Sequence, residues 1–508
     1  MSKFYITTPI YYVNDEPHLG HAYTTVLADV LASYHRLMGD EVIFQTGTDE
    51  HGQKVQQAAD KRGLDPQAHC DELSPRFAAV WKRLGIQHDF YIRTTTEKHK
   101  VVVRRILAEL WDAGEIYSDE YEGWYDVGEE RFFTEKELLD GKSPAGNEVT
   151  FIREKNYFFR MGKYQEQLID HIKTNPDFIV PKKRANEVLG FLRQPLGDLC
   201  ISRPKARLNW GIPLPFDEDY VCYVWFDALL NYYSGLGFGF DEDRSDFWPA
   251  NLHLIGKDIL TTHAVYWPTM LMAAGLALPR TILAHGWWMF GEQKMSKSKG
   301  NVVKPLDTMD LYGRDVLRYF LMREMTPGSD SSFSQDLIIE RNNSELANDL
   351  GNGLNRVTKL IEKHFEGKLP LGGEIDDPEK GLIAAATTAI EGVEREIRAY
   401  HPNGAIREAM ELSRAVNRYL EIRAPWKAIK EDRDAAGSVL YFAAEALRIV
   451  GVLLHPVMPE KCGELLSRLG CPEGPTNFAE SARWGLLESG SPVHSGDPLF
   501  PRFDREEE

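Results

Sequence analysis

Residues 3–52, KFYITTPIYYVNDEPHLGHAYTTVLADVLASYHRLMGDEVIFQTGTDEHG, decide the fold class. Lys3 to Thr8 is a short β-rich run, followed by a polar loop holding Asn14, Asp15 and Pro17. Leu19, Ala22, Tyr23, Val26, Leu27, Val30, Leu31 and Tyr34 then recur at helical spacing, which predicts a helix starting near Gly20. Gly39-Asp40 ends it, and Glu41 to Thr46 reads as a second strand that opens into Gly47-Thr48-Asp49-Glu50-His51-Gly52. Strand, helix and strand in this order make a βαβ unit. Its strands lie parallel, and such sheets take their ligands at the carboxyl ends of the strands.

Outward from this unit the pattern changes at about Ile116. Short β-like pieces, Tyr121 to Val127 and Glu148 to Arg153, are separated by Gly141-Lys142-Ser143-Pro144 and followed by shorter helices. The α/β rhythm returns with Tyr220 to Tyr233, the strand Leu252 to Gly256, a helix from Ile259 and the strand Thr281 to Ala284. Beyond Phe333 every long segment is helical in period. The expected class is therefore α/β: a Rossmann-like parallel-sheet domain split by an inserted connective module, then an all-α helical bundle. The boundaries read as 1–115 and 210–290 for the two halves, 116–209 for the insert, 291–335 for a lysine-rich loop region and 336–508 for the helical domain.

The chain has 508 residues, and at roughly 150 residues per domain that suits about three domains. Its composition, 43% hydrophobic and 27% charged, excludes low-complexity disorder and collagen. The longest mostly apolar stretch, Ala264 to Leu278, is interrupted by Pro268 and is shorter than the roughly 20 residues a bilayer span requires. The N-terminus runs straight into a strand pattern, so a cytoplasmic protein is expected. Cys70, Cys200, Cys222, Cys462 and Cys471 include no Cys-x-x-Cys pair, and neither a disulfide framework nor a cysteine zinc site is suggested. A net charge of -18 argues against a generic polyanion binder, so any nucleic-acid contact must use a local basic surface.

Two constellations could carry chemistry. His18-Leu19-Gly20-His21 sits where the first strand feeds the first helix; a phosphate there would meet exposed N–H groups and the positive helix end, with Gly20 allowing close approach. The bland alternative has one histidine capping the helix. Lys294-Met295-Ser296-Lys297-Ser298-Lys299-Gly300 alternates lysines with small residues in a glycine-bounded loop, which suits a strap supplying positive charge to a triphosphate. Alone, that loop would more often be a solvated surface. A Walker-type phosphate loop fails a direct check: Gly141-Lys142-Ser143 has Lys136, not glycine, five residues earlier.

Both constellations in one chain, in this order on a split nucleotide-type fold, resemble the class I aminoacyl-tRNA synthetases. Thr7-Thr8-Pro9-Ile10-Tyr11-Tyr12-Val13-Asn14, Gly47-Thr48-Asp49-Glu50-His51-Gly52, Tyr223-Val224-Trp225-Phe226-Asp227-Ala228-Leu229, Ile255-Gly256-Lys257-Asp258 and Ala424-Pro425-Trp426 are similar to the bacterial methionyl-tRNA synthetases. The resemblance implies a methionine pocket from Ile10, Tyr12, Asp49, Trp225, Ala228, Leu229, Tyr232, Ile259 and His263. A thioether packs well against aromatic edges, and Asp49 would hold the substrate ammonium. Trp225 and Tyr232, seven apart, would share one helical face. ATP with Mg²⁺ would lie between His18, Gly20 and His21 on one side and Lys294 and Lys297 on the other. Asp258 would take the ribose, and His285, Gly286 and Trp287 would line the adenine. Catalysis would rest on positioning and on charge stabilisation by His18, His21, Lys294 and Lys297, with no side-chain nucleophile.

The resemblance further implies that the helical domain reads a tRNA(Met) anticodon, the initiator tRNA included, through Asn352, Arg356, Pro425 and Trp426; unpaired bases stack on such aromatics. Arg395, Arg398, Arg407, Arg414, Arg418 and Arg423 show that this otherwise acidic chain keeps basic residues in its helical part, with glutamates interleaved, and the sequence does not show whether they make a patch. One departure stands out: Asp126 and Glu129 occupy positions where many relatives have zinc-binding cysteines, and Ser143-Pro144 follows where another pair member would lie. Structural zinc needs thiolates or imidazoles, so a metal-free knuckle is expected. With no appended tRNA-binding module after the helical domain, a monomer is expected. Competing readings are a leucine, isoleucine or valine enzyme of the same class, which usually carries a larger insertion; a nucleotidylyltransferase, which has no use for the helical domain; and a non-catalytic RNA-binding descendant, which needs neither signature.

Overall fold

The computed structural model describes residues 2–504 apart from 128–130, 292, 295–302 and 472–473; of 121, 131, 132, 290, 293 and 294 the backbone alone is described. Strands β1 (Lys3–Thr7), β2 (Tyr11–Tyr12), β3 (Glu41–Asp49), β4 (Phe90–Arg93), β5 (Ile179–Val180), β6 (Leu252–Gly256) and β7 (Thr281–His285) form one parallel sheet. Its order is β2-β3-β1-β6-β7-β5, with β4 paired to β3. The apolar runs of β1, β6 and β7 are buried on both faces, as parallel strands sandwiched between helices require. Thr7 of β1 is flanked by Gln45 of β3 and His253 of β6. The chain therefore leaves β1 toward opposite edges of the sheet, and the crevice at that reversal, beyond the strand ends, is where such sheets bind ligands.

Helix α1 (Leu19–Leu37) returns from β1 to β3. Its N-terminus is closed by His18, whose side chain accepts the Gly20 N–H while the His21 side chain accepts the His18 N–H. This is a capping box built from imidazoles in place of the usual hydroxyl and carboxylate. Arg36 in the last turn suits the negative helix end, and Gly39 with φ +90° lets the chain turn into β3.

The insert is built on the long antiparallel pair Ile116–Asp126 and Thr150–Phe159. Two pairings tie it to the rest of the chain. β5, inside residues 116–209, joins the main sheet beside β7, and Ser202–Pro204 pairs with Asp217–Cys222 across residue 209. A two-residue strand has no period to read, and its pairing partner lies about a hundred positions away in the chain. Helices α2 (Glu97–Asp112), α3 (Val224–Leu229) and α4 (Asn231–Ser234) pack beside the crevice.

Beyond α5 (Arg314–Glu324) the chain is helical: α6 (Asn352–Phe365), α7 (Asp377–Arg398), α8 (Pro402–Arg423), α9 (Arg433–Leu454) and α10 (Pro459–Arg468). Among the described residues α9, rather than Ala264–Leu278, is the one helix long and apolar enough for a bilayer span, but 89% of its most apolar window is buried inside the bundle. The bundle and the α/β domain share one hydrophobic core. At their junction the guanidinium of buried Arg318 donates to the carbonyls of Leu84, Pro456 and Val457 and to Asp29 of α1 at 2.7 Å.

Candidate active site

A cavity of about 650 Å³ opens at the carboxyl ends of β1, β3, β6 and β7. The nine residues expected for methionine, Ile10, Tyr12, Asp49, Trp225, Ala228, Leu229, Tyr232, Ile259 and His263, all line it, as do His18, Gly20, His21, Asp258, His285, Gly286 and Trp287. Trp225 and Tyr232 do not share one continuous helix: α3 stops at Leu229, and α4 begins at Asn231. Both still face the cavity, Trp225 edge-on to Tyr12 and His263, and Tyr232 against His253 at 4.3 Å. His263 sits in a π-helical turn, Thr262–Tyr266, a rare geometry that recurs at functional sites.

The protons on the histidines follow from their neighbours. A ring nitrogen that accepts an N–H carries no proton itself. Gly20 N–H donates to His18 Nδ1 at 3.0 Å, and His18 N–H donates to His21 Nδ1 at 3.3 Å. Each neutral ring therefore carries its proton on Nε2, and the two rings stack with centroids 3.7 Å apart. A Cβ on Gly20 would sit 2.9 Å from His18 Cε1, so a side chain there would displace the cap. His263 donates from Nδ1 to the Ile259 carbonyl at 2.9 Å, leaving Nε2 to accept the Tyr232 hydroxyl at 2.8 Å. His285 donates from Nδ1 to the Gly286 carbonyl, and Thr24 donates to its Nε2 at 2.7 Å. The Tyr232–His263 part of the cavity wall is thus neutral and internally satisfied, which suits an uncharged side chain.

Sequence reasoning missed three residues at or near the cavity. Lys257 lies 3.9 Å from the Trp287 ring centre and pairs with Asp330 at 2.7 Å; Asp330 also accepts the Trp287 N–H at 2.8 Å. Lys257 belonged to a quoted motif, but Asp330, in a loop far along the chain, had no local signal. Lys54, at the cavity rim, lies 5.0 Å from the Tyr12 ring.

A family model described as "tRNA synthetases class I (M)" matches residues 4–150 and 134–358, and one described as "Anticodon binding domain of methionyl tRNA ligase" matches 369–508. The chain belongs to the methionine–tRNA ligase family. Among curated members of that family, the methionine–tRNA ligase of Caldanaerobacter subterraneus subsp. tengcongensis is 44% identical over 99% of this chain and 80% of its own length. That of Thermotoga maritima is 43% identical with the same coverage. The Mycobacterium tuberculosis methionyl-tRNA synthetase solved with methionyl-adenylate superposes with a TM-score of 0.94 at 40% identity, covering 99% of this chain and 100% of that one. The apo form of that enzyme gives 0.87 at 37% identity, covering 99% of each chain.

Other features expected of this ligase family fall as follows. The side chain of Lys294 and all of Lys297 lie outside the described residues, as does Glu129 of the knuckle. Asp126 is buried and accepts an N–H from Asn147 at 3.0 Å. Beside it, Arg203 and Arg207 lie over Tyr125 at 5.2 and 4.5 Å, and Arg207 pairs with Glu154 at 2.9 Å. In the bundle, the Arg356 guanidinium covers Trp426 at 4.5 Å and pairs with Glu421; Asn352 is exposed one turn away, and Pro425 precedes Trp426. Arg395, Arg398, Arg407, Arg414 and Arg423 each meet a carboxylate. Their surface is one of alternating sign rather than a positive patch.

The buried histidines make a pH prediction. Burial lowers the pKa of His253, His263 and His285, bringing His263 to about 4. In the unfolded chain each takes up a proton near pH 6.5, whereas in the fold each stays neutral to lower pH. Below 6.5 the unfolded state therefore binds more protons, and each group lowers stability by up to about 1.4 kcal/mol per pH unit as pH falls. The Asp227 carboxyl, held to about 2, adds its loss only below its usual 3.8, outside this window. Thermal melts between about pH 7 and pH 5 should show a falling midpoint, and the His253→Gln variant should have a shallower slope. Identical slopes would remove His253 from the account.

Proposed function

We propose that the chain activates L-methionine with ATP and transfers it to the 3′-terminal ribose of tRNA(Met), serving initiator and elongator tRNA. The methionine carboxylate attacks the α-phosphorus in line, pyrophosphate leaves, and the ribose hydroxyl then attacks the acyl carbon and expels AMP. The observation that carries this reading is that the residues expected for methionine and those expected for the nucleotide converge on one cavity at the topological reversal of the sheet. In it, Asp49 would hold the ammonium, and Tyr12, Trp225, Tyr232 and His263 would enclose the thioether. Gly286 and Trp287 would flank the adenine while Asp258 takes the ribose.

His18 and His21, each with its proton on Nε2, would donate to phosphate oxygens as charge builds on them. Lys294 and Lys297 would complete that role. Mg²⁺ would enter with the triphosphate as its counter-charge. Among the described residues no cluster of three or more His, Cys, Asp or Glu side chains makes a cation cage. The Arg356–Trp426 stack supports reading of an unpaired anticodon base, with Asn352 and Pro425 beside it. We read the enzyme as a cytoplasmic monomer and its knuckle as zinc-free.

The test is amino-acid-dependent exchange of labelled pyrophosphate into ATP, run against all twenty amino acids. Methionine alone is expected to support exchange, and a zinc-selective chelator in excess Mg²⁺ is expected to leave it unchanged. Lys297→Ala is expected to cut exchange by about 10²-fold or more. Exchange with another amino acid, or none at all, would remove the proposal.

A further inference from the structure

Asp227 does not line the cavity, yet its buried carboxylate ties together the elements that do. Its Oδ2 accepts the Nδ1–H of His51 at 2.7 Å, and its Oδ1 accepts the Nε2–H of His99 at 2.6 Å. All three side chains are at most 3% exposed. His99, on α2, contacts the Ser234 hydroxyl through its other nitrogen at 2.7 Å. The placement of these groups matters. His51 lies two residues beyond Asp49; Asp227 lies between Trp225 and Ala228 on α3; Ser234 lies two residues beyond Tyr232 on α4. One carboxylate thus joins the strand end carrying Asp49 to both helices carrying the aromatic wall.

The segment around Asp49 is also held from its other side. Glu50, fully buried, takes two bonds from Arg93, at 2.7 and 3.0 Å, and hydroxyl bonds from Thr48 and Thr95. Gly52 N–H donates to the Trp210 carbonyl, and the Trp210 indole donates to the Glu50 carbonyl. Two clamps therefore act on one short segment, and the Asp227 clamp connects it to α3 and α4; farther back on β3, Gln45 also donates to the Asn231 carbonyl and side-chain oxygen at the start of α4, at 3.2 and 2.9 Å. Burying a carboxylate is costly, and an apolar contact of the same volume often stabilises a fold as well or better. The arrangement is better explained by the geometry it imposes.

We propose that Asp227, acting through His51 and His99, is a positioning residue that sets the distance between Asp49 and the Trp225–Tyr232 wall, and so governs methionine binding without touching ATP. This rests on the reading of the cavity given above. Asp227→Asn keeps the shape but turns one acceptor into an NH₂ group facing an imidazole N–H. One of the two rings must then rotate or move its proton. In pyrophosphate exchange the KM for methionine is expected to rise about tenfold or more, while the KM for ATP stays within about twofold.

His51 provides a second, gentler probe, because an asparagine amide places an N–H donor close to Nδ1. His51→Asn is expected to keep the methionine KM within about threefold of the parent, and His51→Ala to raise it as Asp227→Asn does. Parallel rises in both KM values would overturn the proposal, as would unchanged kinetics in a folded Asp227→Asn protein. Should Asp227→Asn fail to fold, the His51 pair decides: equal defects in Asn and Ala show that the donor is not what matters. Absence of methionine-dependent exchange in the parent enzyme would instead sink the functional reading itself.

Discussion

Arg318→Ala is expected to cost about 3–5 kcal/mol of stability and to separate tRNA charging from adenylate formation. Arg318 is 1% exposed, and its guanidinium is satisfied by three backbone carbonyls and one carboxylate. Those partners come from three places: Asp29 on α1, Leu84 beside the catalytic sheet, and Pro456 and Val457 between α9 and α10. The second oxygen of Asp29 accepts the Gln87 N–H at 2.7 Å. Truncation would leave a buried carboxylate without its counter-charge and three carbonyls without donors. Loss of one partner of a buried pair is the costly case, far more so than replacement of both.

The lost contacts are those that seat the helical domain on the α/β domain, whereas the cavity lies elsewhere. Methionine-dependent pyrophosphate exchange should therefore survive at temperatures where aminoacylation of tRNA has collapsed. Lysine at this position restores a charge for Asp29 but lacks the planar fork needed for the carbonyls, and should recover part of the loss. An Arg318→Ala protein with an unchanged urea midpoint, or one that loses both activities together, would refute this account.

Gly286→Ala is expected to lower kcat/KM for ATP by about 10²-fold with little change in the KM for methionine. The reason is contact, not backbone dihedral, since Gly286 is not among the positive-φ glycines. A Cβ there would run into the Ser329 carbonyl and the Asp330 backbone. That segment cannot move alone. Asp330 holds the Trp287 N–H and Lys257, and Ser331 N–H donates to the Trp287 carbonyl at 3.0 Å. Displacing it shifts the strand end expected to line the adenine, while the thioether wall on α3 and α4 stays in place. Steady-state exchange kinetics with each substrate varied in turn decides the point, and a tenfold rise in methionine KM alone would contradict it.

The βαβ start, the helix following His18 and the strand at Leu252–Gly256 were legible because their signals are local: residue period, a glycine stop, a cap spanning three residues. The imidazole capping box shows the cap reading of this motif. His18 caps α1 through Nδ1 and also lines the cavity. The family resemblance named sixteen cavity residues, yet the break between α3 and α4 was hidden, since a kinked pair of short helices keeps the same apolar spacing as a straight one. Asp330 and β5 were hidden for a different reason, for neither sits in a periodic segment.

By itself the sequence determined the class of fold, the order of its parts and the residue types that converge on the cavity. Tertiary structure alone decided what holds them in register. Asp227 meets His51 and His99 across separations of 176 and 128 residues, and Arg318 meets Asp29 across 289. Periodicity and capping arise from hydrogen bonds within a few residues, so they leave a mark on neighbouring letters. A bond between distant residues leaves none, because which side chains meet is set by how the sheet and helices pack.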